Sequence, residues 1–127
     1  MIPLDEIAGA LGLDGFSDDP GERAVQFMSH LPAVHSDGDI GLFDWEERIV
    51  RDVYGTLRPD GLRQYEAVYI EIPKKNGKST FMAMPILYAM LVEQVENAEL
   101  YSCAYTREQA GHVYKSVSAI TQKLIKR

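Results

Sequence analysis

The sequence predicts an α/β protein: a partial parallel sheet preceded by short N-terminal helices. Two observations carry that expectation. The run YEAVYIEI, residues 65–72, is rich in β-branched and aromatic residues and reads as a strand. From there the order strand, loop, helix, strand, helix follows, which is the pattern of helices crossing between parallel strands.

Taken in order, Leu4, Ile7, Ala8 and Leu11 fall at helical spacing within residues 3–13, and LDGFSDDPG breaks the pattern with turn formers. A second short helix is expected from about Glu22 to Leu31, with Val25, Met28 and Leu31 on one side and Pro32 stopping it. PAVHSDGDIG then reads as a loop. A third helix is expected to be capped by Asp44, with Glu47 completing a capping box, and to bury a stripe of Trp45, Ile49 and Val53 before Gly55 ends it. TLRPDGLRQ is the next loop, and the strand at 65–72 runs straight into PKKNGKST. The following segment, about Lys78 to Glu96, is apolar on most sides, as a helix packed on a sheet would be, with Pro85 kinking it. ELYSCAY reads as a second strand. Thr106 then caps a last helix, whose buried face is Ala110, Val113, Val117, Ile120 and Leu124. The division expected is a helical lead-in at 1–42 and a second region at 43–127.

Composition restricts the function classes. The chain has 127 residues, 46% hydrophobic and 25% charged, which suits a globular protein of one domain or part of one. No apolar run approaches the roughly 20 residues that span a bilayer, and the N-terminus lacks the basic start of a signal peptide, so no membrane is expected. The single cysteine, Cys103, excludes an internal disulfide and reads as a buried hydrophobe. Net charge is −6, but unevenly placed: residues 1–64 carry 13 acidic and 5 basic side chains, residues 65–127 carry 6 and 8. A polyanion site belongs in the second half. His35 has no partner at metal-ligand spacing, and Asp37 and Asp39 suit a solvated turn. Lys115, Lys123, Lys126 and Arg127 read as favouring the end of the last helix, or as contacts to DNA phosphates.

Residues 65–96 hold the chemistry. A phosphate-binding loop needs a strand to aim it, a turn whose amides surround the phosphates, and a helix whose N-terminal dipole faces the negative charge. Here Gly77 allows the backbone to curl around the β-phosphate, Lys78 reaches the β- and γ-phosphates, and Ser79 places its hydroxyl on Mg²⁺. Ile72 stands where G-x-x-x-x-G-K-[ST] has its first Gly. The competing reading is a hairpin turning at Asn76–Gly77, with YEAVYIEI paired to STFMAM. The length of the segment after the turn and the interruption at Pro73 weigh against the hairpin.

RQYEAVYIEIPKKNGKST resembles the P-loop region of phage terminase large subunits, many of which carry a Pro-Arg-Lys-Asn-Gly-Lys-Ser loop without the first glycine. The resemblance covers roughly residues 22–127, through AVQFMSHLPAVHSDGDIGLFDWEERIVRDVYGTLRPDG before the loop and AELYSCAYTREQAGHVYKSV after it. It implies a P-loop NTPase-like sheet and a nucleotide site of Pro73, Lys74, Lys75, Asn76, Gly77, Lys78, Ser79 and Thr80, with ATP and Mg²⁺ as cofactors. It also implies that Trp45 frames the adenine, that Glu46 replaces the family's adenine-reading Gln, and that Lys74 replaces an arginine that senses the γ-phosphate. Catalytic roles fall to Lys78 and Lys74.

The resemblance further implies a motor that drives double-stranded DNA into a procapsid in the host cytoplasm, with the portal protein, the small terminase subunit and the remainder of the large subunit as partners. In such motors the strand after the first helix lies at the edge of the sheet, and the acidic strand that completes hydrolysis comes later, followed by a nuclease domain. No carboxylate cluster of that kind occurs here. The chain is therefore expected to be the front part of the ATPase domain, inactive in hydrolysis by itself. Two other readings stay open: a helicase-like P-loop ATPase, and a non-enzymatic nucleotide-binding or interaction module.

Overall fold

Helices account for the regular elements of the computed structural model, which describes residues 2–33, 37–70, 78–95, 99–101 and 107–125. The order is α1 (Leu4–Ala10), α2 (Pro20–Ser29), α3 (Asp44–Gly55), α4 (Lys78–Tyr88), a π-helical turn (Ala89–Glu93) and α5 (Arg107–Ile125).

The N-terminal helices form where the spacing of apolar residues places them. Helix α1 carries Asp5 and Glu6 in its first turn, where the dipole favours them, and buries Ile7 and Ala8. Pro20 opens α2, and the Asp19 carboxylate caps it by accepting from the Glu22 N–H at 2.9 Å. The loop after α2 closes on itself through an antiparallel bridge between Pro32 and Asp39. Helices α2 and α3 cross where Gly21 and Gly55 meet, so close that a Cβ on Gly21 would lie 3.3 Å from both the Arg51 carbonyl oxygen and the Gly55 Cα.

Helix α3 is one residue out of the expected phase. Asp44 is its first residue rather than its cap, and its buried positions are Glu46, Val50 and Tyr54. Trp45, Ile49 and Val53 pack on the core only partly. The face centred on Val50 packs mainly against α2, and Tyr54 at its end also meets Tyr88 of α4.

Helix α4 contains Pro85, which leaves the Phe81 carbonyl without its usual intrahelical donor. One turn later the helix widens into the π-turn, and Gln94 ends it in the left-handed region at φ 47°. The helical segment thus stops at Glu93, short of the expected Glu96. The core lies between α2, α4 and α5, where Phe27, Met28, Leu31, Phe81, Met84, Leu87 and Ile120 are fully buried. Along α5, Ile120 is buried and Val117 and Leu124 pack against it, as the spacing predicts.

The parallel sheet is not found: among the described residues there is no strand, and the α/β expectation is overturned. Residues 65–70 run without a paired neighbour, with Tyr69 86% exposed, and Leu100 and Tyr101 are exposed as well. An extended run becomes a strand only when a second backbone lies about 4.8 Å beside it to exchange hydrogen bonds. The described parts of the two runs expected to form a sheet do not pair. Cys103 and Thr106 fall outside the described residues.

Candidate nucleotide-binding site

The start of α4 is the part of the candidate site that the structure positions. Its first residue is Lys78, followed by Ser79 and Thr80 in the same turn. The first amides of a helix have no intrahelical acceptor, so the N–H groups of this turn take their acceptor from outside the helix, a role that suits an anion, and the helix dipole adds favourable charge there. That start also removes the hairpin alternative, because residues expected to form its second strand are helical. Pro73, Lys74, Lys75, Asn76 and Gly77 lie outside the described residues.

Residues 65–70 run alongside α4. The turn before them, residues 56–64, is closed by a bridge between Leu57 and Arg63 and by the Gln64 N–H donating to the Thr56 carbonyl at 2.9 Å. From there Val68, Tyr69 and Ile70 come to line a groove of about 450 Å³ with Ile49, Val53, Phe81, Met82 and Pro85. The segment therefore passes from the far end of α4 toward its N-terminus.

Trp45 is the expected site residue that α3 brings to α4. Its ring meets Phe81 edge-on, with centroids 5.7 Å apart, one helical turn beyond Lys78. Half-buried, it has a packing role on that contact alone. Phe43, just before α3, is 67% exposed beside it in sequence. Glu46 is only 6% exposed and its Oε1 accepts from the Phe43 N–H at 2.9 Å. This is the reciprocal half of a capping box; Phe43 offers no side-chain acceptor for the other half. The carboxylate thus closes the first turn of α3.

An aromatic and charged cluster lies at the opposite end of α4, with no counterpart in the sequence expectations. Tyr54 meets Tyr88 at 5.0 Å, Tyr88 meets Phe27 at 5.4 Å, and the Arg63 guanidinium sits 5.3 Å from the Tyr54 ring centre. Arg63 also donates to Glu93 at 3.3 Å. Burial, together with the nearby Glu93 charge, pushes the Tyr54 phenol up to about 12. Burial raises Tyr88 too, opposed by the Arg23 charge. Because these residues are scattered between positions 27 and 93, no local spacing announces them.

Lys123 is not a free helix-end cation: its ammonium donates to the Ala33 carbonyl at 2.6 Å and ties α5 to the loop after α2. No cluster of three or more His, Cys, Asp or Glu suited to a metal occurs among the described residues, and no described helix is long and apolar enough to cross a membrane.

Comparison with curated proteins and with solved structures gave no match. The family model described as the terminase large subunit, ATPase domain, matches residues 44–127, from the first residue of α3 onward. That match spans more than half of the chain and includes the loop, the helix that begins at Lys78 and the aromatic contact from α3, so the chain belongs to the terminase large subunit ATPase-domain family.

Proposed function

We propose that this chain binds ATP with Mg²⁺ through residues 73–80, as part of the ATPase of a terminase that drives double-stranded DNA into a procapsid in the host cytoplasm. The observation that carries the reading is the coincidence of the family match with a helix that starts at Lys78. In this reading the amides of Gly77, Lys78 and Ser79 surround the phosphates, and Lys78 supplies a point charge to the β- and γ-phosphates. Lys74 adds a second charge beside the γ-phosphate; Pro73, Lys75, Asn76 and Thr80 complete the loop. The Ser79 hydroxyl holds the magnesium, which neutralises phosphate charge when bound.

Trp45 offers its free face to the base, while Glu46 supports it indirectly by fixing the first turn of α3. Residues 1–42 form a helical lead-in, and residues 43–127 belong to the ATPase domain. Partners are the remainder of the large subunit, which supplies the carboxylates that complete hydrolysis, together with the portal protein and the small terminase subunit.

The sole tryptophan makes the test direct, since its emission reports Trp45 alone. Adding Mg·ATP is expected to shift or quench that emission saturably in the wild type and not in Lys78→Ala. A saturable response that persists unchanged in Lys78→Ala would remove the phosphate loop from the reading.

A further inference from the structure

We propose that Arg63 and Glu93 are positioning residues for the phosphate loop: together they fix the segment that enters it against the helix that leaves it. This rests on the nucleotide-binding reading above and adds to it the part of the fold that sets the loop's geometry. Residues 71–77 connect two flanks, residues 65–70 on one side and α4 on the other. The second flank is secured by burial of Phe81, Met84 and Leu87. The first is exposed along most of its length and has no sheet neighbour among the described residues.

What holds the entering flank is local to its two ends. At its far end Ile70 packs against the core. At its near end Arg63 bridges to Leu57, donates to Glu93 at 3.3 Å and covers the Tyr54 ring at 5.3 Å, while the Tyr65 hydroxyl donates to Asp52 at 3.4 Å. Lengths agree with this arrangement. From Lys78 to Glu93 the helix rises about 23 Å, a distance well within reach of the residues that link Arg63 to Lys78, so a segment anchored beside Glu93 can run back to the start of α4. Arg63 and Glu93 thus pin one flank to the C-terminal end of the other, and Tyr54 and Tyr88 support the pin from below.

An exposed ion pair contributes little to global stability, but a segment with few other contacts depends on it for its position. When the loop is competent to bind for only a fraction of the time, apparent affinity falls by that fraction.

Mg·ATP titrations at low ionic strength, on wild type, Arg63→Glu, Glu93→Arg and the double charge swap, test the idea. Each single reversal is expected to weaken binding by about fivefold, and the double swap to recover most of it, with melting temperatures nearly constant across the set. Glu93→Arg is the discriminating variant: added positive charge by itself would tighten binding of a polyanion, whereas loss of the pin weakens it. Arg63→Lys, which retains the ion pair, should bind close to wild type. Unchanged or tighter binding in Glu93→Arg, or a double swap no better than the singles, would overturn the proposal while leaving the nucleotide site intact. Wild-type binding that is absent, or insensitive to Lys78→Ala, would instead remove the nucleotide reading and this proposal with it.

Discussion

Glu46 and Tyr54 sit two turns apart on the buried face of α3, and each leads to a measurable consequence. Glu46 closes the first turn by accepting from the Phe43 N–H, so Glu46→Ala should lower stability by about 1 kcal/mol in urea unfolding, the usual cost of losing a cap. Asp44→Ala loses only a favourable charge at the first position and should cost roughly half as much. The sequence alone could not separate these two, because Asp44, Glu46 and Glu47 all occupy capping distances and the choice depends on where the backbone leaves the loop. Tyr54 gives a pH signature. Its folded-state phenol lies near 12 against an ordinary value of 10, so the neutral form is favoured by folding. The associated stability, roughly 2–3 kcal/mol at most, is present below pH 10 and lost as the pH rises from 10 to 12. Unfolding curves across that range should flatten in Tyr54→Phe, with part of the fall remaining because Tyr88 is raised as well.

At the scale of elements, the crossing of α2 and α3 depends on two glycines. Gly21→Ala places a methyl 3.3 Å from backbone atoms of α3 that belong to a packed helix, so the helices must separate, at a cost of about 1–2 kcal/mol. Gly111→Ala in α5 meets nothing within 4 Å and should stabilise by about 0.5–1 kcal/mol through helix propensity. Opposite shifts in melting temperature are therefore expected from the same substitution; equal shifts would mean that the crossing is not what Gly21 serves. The helices themselves were legible, since apolar spacing marks α1, α2 and α5, although α2 begins at Pro20, capped by Asp19, ahead of the expected Glu22. The stop of α4 was not. Gln94 adopts a left-handed conformation that favours glycine, held by its side chain donating to the Leu91 and Ile2 carbonyls, and the second of those contacts joins residues 92 positions apart.

For the whole molecule, the sequence signal for strands at residues 65–72 and 99–105 was a signal about side chains, and it does not supply a neighbour. β-propensity describes how residues fit a pleated surface once pairing exists, and among the described residues the pairing is absent. The family, by contrast, was legible, because it is carried by the identity of residues around the loop rather than by their pairing. A bound ligand couples to the whole fold: at a hundredfold excess over its Kd, nucleotide should add about 2.7 kcal/mol to the stability of the wild type and nothing to Lys78→Ala. The most direct measurement is calorimetric titration of the chain with Mg·ATP, with Lys78→Ala run beside it and folding of both verified by circular dichroism. Saturable one-to-one binding that the substitution abolishes is the predicted result. A folded wild type that binds no nucleotide, or a Lys78→Ala variant that binds as well as the wild type, would contradict the assignment of the site to the start of α4.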